Sequence, residues 1–371
     1  MSMVADRSRA AAVEPDRLEG FSAPREVDRL FGHYAALREF ADALASGRMH
    51  HAWLIVGPEG VGKATLAYHF ARMVLAERAA HRTEAIDAAH PVFRKVAALS
   101  HPNLVLLRRS FNERTKRYSQ FIGVDEVRRL KTFLGNTAGE EGWRVVIVDR
   151  ADDLNQNAAN ALLKALEEPP PHTLFILISG AEGRLPVTIR SRARVLRVTA
   201  LNEEDLEKAV RAALARDEQE ADAKSIETAL ALSNGSVRRA LELISGEGVE
   251  LYDEIIAFFA KLPELDGPRL HRLVDQIGGF SNTEQLELFI ALLLGLIERL
   301  IRFTATCEGA TREEQAVAKR LISQGNLAQW AEAWEAISAA HAEALEYNLD
   351  RSLFAMETWF RLQKLAREHL V

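Results

Sequence analysis

The sequence holds one cysteine, Cys307, in 371 residues. That excludes an intrachain disulfide and any zinc site built from several cysteines. Also missing is a run of about 18 apolar residues, the length a membrane-spanning helix needs. The longest candidate is the broken stretch "LFIALLLGLI", Leu288 to Ile297, so no membrane contact is expected. Charges stand near the N-terminus where a signal peptide needs an apolar stretch, which predicts a cytoplasmic location. There is no excess of basic charge either: the formal net charge is −6. The molecule as a whole is therefore not a basic nucleic-acid binder, and any DNA contact would have to come from a local patch. What is present is 48% hydrophobic and 27% charged residues, enough for a sizeable core and, at this length, for two or three domains.

Residues 1–26 mix charge, alanine and proline without apolar periodicity, which predicts a poorly ordered leader. Over 27–199 the apolar runs "HAWLIV", "NLVLL", "RVVIVD", "TLFILIS" and "ARVLRV" alternate with helical stretches. This is the pattern of an α/β domain whose parallel sheet is covered on both faces. Strand signals stop after Leu201. "NEEDLEKAVRAALA" and "DAKSIETALALSNGSVRRALELIS" read as amphipathic helices of a small domain over 200–248. Asn202 is placed to cap the first, with Glu203, Glu204 and Asp205 in the turn where the helix dipole favours negative charge. From 249 to 371 the pattern is helical throughout, with long stretches such as "TEQLELFIALLLGLIERLIRF" and "NLAQWAEAWEAISAAHAEALEYN".

The stretch "GPEGVGKATLA" follows the first apolar strand. Gly57, Gly60, Gly62 and Lys63 fit the G-x-x-x-x-G-K spacing of a Walker A loop. Such glycines let backbone N–H groups curl around phosphates while the lysine reaches the β and γ oxygens. A bare tight turn before a helix is the plainer alternative, and the lysine and the preceding strand weigh against it. The next position departs from the pattern: Ala64 stands where a Ser or Thr would place a hydroxyl on Mg²⁺. Thr65 is one residue later, rotated by about 100° on a helix. The strand "VVIVD" ends in Asp149, which suits a Walker B carboxylate. The following residue is Arg150, which has no acceptor and cannot act as a general base. Asp152 and Asp153 read first as residues capping or preceding a helix that starts near Leu154.

"NALLKALEEPP" lies on a helix whose apolar face comprises Leu154, Ala158, Ala161, Leu162, Ala165 and Leu166, ended by the Pro169–Pro171 run. With the apolar strand after it and then "RLPVTIRSRA", the chain resembles the clamp-loader branch of the AAA+ ATPases, and within it the delta-prime type of bacterial DNA polymerase III subunit. The ordered motifs cover most of residues 28–245; the helical C-terminal third agrees only in length and type. The resemblance implies an AAA+ P-loop NTPase module, a small helical lid and an all-α collar that holds subunits together. It implies ATP or ADP with Mg²⁺ at the loop. Ser191 and Arg192 match the family's Ser-Arg-Cys motif, with Ala193 in the cysteine's place, and the implied role of Arg192 is an arginine finger for a neighbouring subunit. Taken alone, "RSRAR" reads as a solvated basic edge. Ser179 falls at the sensor 1 position and Arg238, within "GSVRRAL", at sensor 2, although arginines on helix surfaces are common.

Members of the branch often carry a four-cysteine zinc module after the Walker A helix; here that stretch has His81, His90 and His101 and no cysteine. Their spacing shares no helical face, so they read as ordinary polar histidines and no zinc is expected. "RRSFNERTKRY" and "VRRLK" concentrate positive charge that could meet a phosphate backbone, though a solvated face is the simpler reading. Trp330, Trp334 and Trp359 belong to a helical core that also suits oligomer packing. The function this implies is a subunit that donates a finger and hydrolyses little itself. Its implied partners are gamma/tau and delta subunits in a hetero-pentameric ring, a sliding clamp, and primed DNA reached through the complex. A hydrolysing gamma or tau type subunit is the first rival, opposed by Ala64, Arg150, the missing cysteines and the lack of a long tail. An AAA+ helicase loader is the second, opposed by "LLKALEEPP" with "IRSR".

Overall fold

All five apolar runs become strands of one parallel sheet: β1 (Ala52–Val56), β2 (Leu104–Leu107), β5 (Arg144–Val148), β6 (Thr173–Ser179) and β7 (Arg194–Arg197), in the order β2-β5-β6-β1-β7. The structure is a computed structural model that describes residues 14–76, 86–112, 114–115, 117–135, 142–278, 283–347 and 350–369. Helix α1 (Tyr34–Ala45) precedes β1, and between the strands run α2 (Lys63–Leu75), α3 (Pro91–Ala97), α4 (Val124–Gly135), α5 (Gln156–Glu167) and α6 (Val187–Arg190). Side chains of successive strand residues point to opposite faces, and both faces are apolar. Trp53, Ile55, Val145, Ile147, Leu174 and Ile176 pack with Phe40 of α1 and Leu66 and Phe70 of α2. Leu54, Val56, Val146, Val148, Phe175 and Leu177 pack with Leu130 of α4, Leu162 of α5 and Ile189 of α6. The result is a three-layer α/β sandwich, as the alternating pattern predicts.

The register decides where chemistry gathers. Val56 lies opposite Ser179 and Val148 opposite Leu177, so the chain leaves β1, β5 and β6 at one edge, the carboxyl end where ligands of parallel α/β sheets bind. A two-stranded hairpin, β3 (Phe111–Asn112) with β4 (Arg117–Tyr118), was not foreseen. The Asn112 side-chain oxygen accepts the N–H groups of Arg114 at 3.0 Å and Thr115 at 3.1 Å, a local turn that periodicity does not report.

Three expectations need correction. Residues 14–26 are embedded where a loose leader was expected: Phe21 and Ala23 are buried, and Arg25 pairs with Glu14 and bonds the Ala97 carbonyl at 2.8 Å. Residues 1–13 lie outside the described residues. The helix after Asp149 starts at Gln156, and its cap is Asn155, whose side chain accepts from Ala158 N at 2.9 Å; Asp152 and Asp153 lie in a preceding 3-10 turn, Ala151–Asp153. Finally, the small domain expected at 200–248 is divided between two compact units. One comprises 14–222 and 233–242 among the described residues, the other 223–232 and 243–369.

In the first unit, α7 (Glu203–Arg216) begins as read, with Asn202 accepting from Asp205 N at 2.8 Å. The second unit is helical: α8 (Ala223–Leu232), the last turn of α9 (Val237–Ser245), α10 (Gly248–Phe259), α11 (Gly267–Gly278), α12 (Thr283–Thr306), α13 (Arg312–Leu321), α14 (Leu327–Tyr347) and α15 (Arg351–His369). Trp359 is its hub, with ring centroids of Phe258 at 5.0 Å, Phe259 at 5.8 Å and Phe289 at 6.3 Å. Each such aromatic removes a large apolar area from water. One ion pair is buried with them, Arg299 Nε to Glu314 Oε1 at 2.7 Å, and Tyr252 donates its hydroxyl to the same carboxylate at 2.5 Å.

Candidate functional site

The loop between β1 and α2 is shaped by contacts only glycine permits. A Cβ on Gly57 would lie 2.3 Å from the Val198 carbonyl oxygen. Gly60 has φ +75°, and a Cβ there would lie 2.1 Å from Ser236 Oγ. Gly62 caps α2 in the left-handed region, φ 98°, with no side chain over the helix end. That exposes the N–H groups of the first turn, where the dipole favours an anion. Lys63, the first residue of α2, folds its ammonium over the loop, donating to the carbonyls of Gly57 at 2.7 Å and Pro58 at 2.5 Å. Burial pulls the Lys63 pKa down, opposed by Glu59, Asp152 and Asp149.

A cavity of about 700 Å³ opens on this loop. Gly60, Gly62, Lys63, Ala64, Thr65, Asp149, Ser179 and Arg238 all line it. The fold thus gathers into one space residues spread over 179 positions (238 − 60 + 1) of the sequence. Gly57 sits at the base of the loop, against Val198. Asp149 follows β5, its N–H bonded to the Leu107 carbonyl at 2.9 Å. Burial, reinforced by the nearby Asp16 carboxylate and opposed by Arg108, pushes its carboxyl up to about 7. Ser179 is fully buried and donates its hydroxyl to the Ala181 carbonyl at 3.0 Å. Arg238, near the start of α9, touches the loop through its backbone, its N–H donating to the Gly60 carbonyl at 3.2 Å, while its side chain pairs with Glu242 at 2.7 Å.

Where a water-activating carboxylate would stand, the chain has a cluster of cations. Arg150 bridges Glu59 at 3.3 Å and Asp153 at 3.3 Å. Arg109 meets Asp153 at 3.4 Å. Asp152 accepts the Gly180 N–H at 3.3 Å and faces Arg184 at 3.8 Å. Asp153 is thus held by two guanidinium groups, while Asp152 keeps one buried oxygen, Oδ1, without a hydrogen-bond partner among the described residues. Ala64 offers no hydroxyl, and among the described residues no three His, Cys, Asp or Glu side chains are placed to hold a metal ion. The N–H groups, Lys63 and the arginines around the cavity suit the oxygens of a phosphate chain.

Ser191 and Arg192 stand apart from this cavity. Arg192, at the end of α6, pairs with Glu167 at 2.8 Å and donates to the Thr188 carbonyl at 2.9 Å. Ser191 donates its hydroxyl to the same carbonyl at 3.1 Å. Val187, at the start of α6, is 66% exposed, while Ile189 of the same short helix is buried in the core. Two of the three histidines have structural duties: His90 accepts Val92 N–H at 3.2 Å and His101 accepts Asn103 N–H at 3.2 Å. His81 lies outside the described residues.

Two further residues, Asp16 and Arg108, line the cavity, and Tyr68 and His33 stand behind it. Asp16, on the N-terminal segment, lines the cavity and meets Arg108 at 3.3 Å. Burial raises its pKa, and among the described residues its second oxygen has no hydrogen-bond partner. Tyr68 is wholly buried on α2, and its hydroxyl pKa is raised well above the usual value, by burial first and Asp16 second. His33 contacts the Val61 carbonyl at 2.7 Å, steadying the loop from outside. Arg108 directly follows β2, so the rule that parallel sheets bind ligand at their carboxyl edge could have found it. Asp16 carries no such signal, because its neighbourhood has no periodicity.

The family described as "DNA polymerase III, delta subunit" matches residues 32–202. Among curated proteins, the delta′ subunit of DNA polymerase III from Pseudomonas aeruginosa is 38% identical over 203 residues, 54% of this chain and 57% of that protein. The gamma subunit from Buchnera aphidicola is 28% identical over 225 residues, 60% of this chain and 58% of that protein. The chain thus spans less than two thirds of the length of these relatives. Among solved structures, a gamma subunit-related protein from Thermotoga maritima aligns with TM-score 0.42 at 18% identity, over 91% of this chain and 100% of that one.

Proposed function

This chain belongs to the DNA polymerase III delta-prime/clamp-loader family, and from that premise we propose that it works as a delta-prime-like subunit that donates Arg192 to a neighbour's ATP site and hydrolyses little nucleotide itself. The single observation that carries this reading is the separation of two features. Arg192, just beyond α6, is part-exposed and held by Glu167 outside the cavity its own P-loop lines, whereas that cavity holds Arg150 in place of a water-activating acid. A guanidinium held by a surface ion pair can exchange that partner at small cost for the charge on a phosphate held by another subunit. A P-loop without a general base can hold nucleotide and leave it intact.

In this reading Gly57, Gly60, Gly62, Lys63, Thr65, Asp149, Ser179 and Arg238 form the nucleotide site for ATP or ADP. The first compact unit, with its parallel sheet and P-loop, is the AAA+ module, and the helical unit, 223–232 with 243–369, is a collar packed against gamma/tau and delta subunits in a hetero-pentameric ring. The complex, in the cytoplasm, would place a sliding clamp on primed DNA. A gamma or tau type of subunit is the competing assignment, since relatives of that name also match; Arg150 and Ala64 favour delta-prime. The test mixes the purified chain with the other loader subunits and follows assembly by gel filtration and ATP turnover by phosphate release. A defined complex whose turnover needs Arg192, with negligible turnover by the isolated chain, is the expected result. Failure to assemble, or turnover by the isolated chain that Lys63→Ala abolishes, would overturn it.

A further inference from the structure

Retained P-loops usually place a divalent cation between the protein and the nucleotide phosphates, held by a hydroxyl after the lysine and a carboxylate at the end of a neighbouring strand. Here the first donor is absent. Ala64 occupies its position, and the nearest hydroxyl on the cavity wall, Thr65, is displaced by about 100° around the helix. Of the other carboxylates nearby, Asp153 is held by Arg109 and Arg150, Asp16 meets Arg108, and Asp152 faces Arg184 at 3.8 Å. Positive charge, by contrast, is well supplied. Lys63 and Arg150 both line the cavity, and Arg150 reaches over the P-loop to Glu59.

We infer that this cavity binds the phosphates of a nucleoside di- or triphosphate without a divalent cation, Lys63 and Arg150 neutralising the charge that Mg²⁺ otherwise carries. The inference rests on the reading of the cavity as a nucleotide site. The chemistry suits it. A guanidinium is always protonated and offers a planar fork of donors matched to phosphate oxygens, so it supplies charge and directional hydrogen bonds where a metal would supply charge and coordination. Its present partners are replaceable: Glu59 is 76% exposed and its pair with Arg150 is long, at 3.3 Å. An incoming phosphate can therefore displace Glu59 at small cost. The remaining oxygens meet the N–H groups that Gly62 leaves uncovered at the start of α2. Metal-free binding also accounts for a site that keeps its loop yet carries no group to activate water: nucleotide becomes a structural ligand of the chain.

The test titrates a fluorescent ADP analogue into the full chain, once with excess Mg²⁺ and once with EDTA, and repeats both with Arg150→Ala. The expected result is dissociation constants that agree within about threefold in the two buffers, and a loss of about tenfold in Arg150→Ala, the size of one charge-assisted hydrogen bond. Arg150 is half exposed, so the variant should fold, which a matching melting curve checks. Binding that needs Mg²⁺ would overturn the inference and leave the nucleotide site standing. Unchanged affinity in Arg150→Ala would overturn the assigned role of Arg150. Absence of binding in both buffers would overturn the inference together with the reading it rests on.

Discussion

The backbone N–H of Arg238 donates to the carbonyl of Gly60 at 3.2 Å, so the start of α9 is tied directly to the phosphate loop. The same junction leaves no room for a side chain: a Cβ on Gly60 would lie 2.1 Å from Ser236 Oγ and 2.8 Å from Arg238 Cβ. A nucleotide between the loop and α9 would touch both sides of this contact.

Gly60→Ala should therefore be costly. The left-handed backbone alone costs roughly 1–2 kcal/mol for a residue with a Cβ, and the collision with Ser236 adds to it. A melting temperature lowered by several degrees, with weaker nucleotide binding, is expected; Gly47→Ala, which also has positive φ but no neighbour within 4 Å, should lose only the backbone share. Equal losses in the two variants would show that the packing against α9 contributes nothing.

Arg192→Ala should leave stability almost unchanged, because its pair with Glu167 is surface-exposed and such pairs are worth about 0–1 kcal/mol. In the assembled complex it should lower ATP turnover by the share of one site, since a finger contributes roughly 10³ to 10⁵ where one acts on a GTPase. Lys63→Ala should lower it less. Glu167→Ala should fall between, if the carboxylate only orients the guanidinium. Phosphate release from the four complexes decides it, and wild-type turnover with Arg192→Ala removes the finger assignment.

Acid should weaken the first unit through His69. This imidazole is buried on α2, and desolvation, with Arg72 second, depresses its pKa from 6.5 to about 4. The folded pKa lies below the unfolded one, so the unfolded chain binds the extra proton. His69 thus contributes stability that is complete above about pH 6.5 and is lost as pH falls toward 4. At roughly 1.4 kcal/mol per pKa unit the loss reaches a few kcal/mol. His69→Gln should flatten the acid limb of melting temperature against pH between 6.5 and 4; an unchanged slope would mean other groups govern it.

In the helical unit, Glu314→Ala should be among the most damaging single changes. It strands the Arg299 guanidinium, 9% exposed, and removes the acceptor of the Tyr252 hydroxyl. Breaking one side of a buried pair costs about 3–5 kcal/mol. Denaturant unfolding should show that loss, and the double change Arg299→Met with Glu314→Leu should recover most of it. A single variant as stable as wild type would mean water reaches the site.

Much of the architecture was legible because it depends on period and composition, which are local. The runs of the central strands β1, β5 and β6 are apolar on both faces, the pattern of a covered parallel sheet. Asn202 announces α7, since an oxygen-bearing side chain before three acids suits little else. The P-loop glycines and Lys63 could be read from spacing because a backbone cradle for phosphate permits few alternatives. Tertiary structure decided the rest. Nothing in the order of residues tells that Glu14 and Asp16 meet Arg108, or that Glu59 holds Arg150, because these are pairs between segments far apart in sequence, made by charges with no periodic signature. The cap at Asn155 was lost to two neighbouring aspartates that suit a cap equally well by type and are excluded only by where the 3-10 turn points them. The loop could be recognised from local chemistry alone; the charges that surround it were set by the fold.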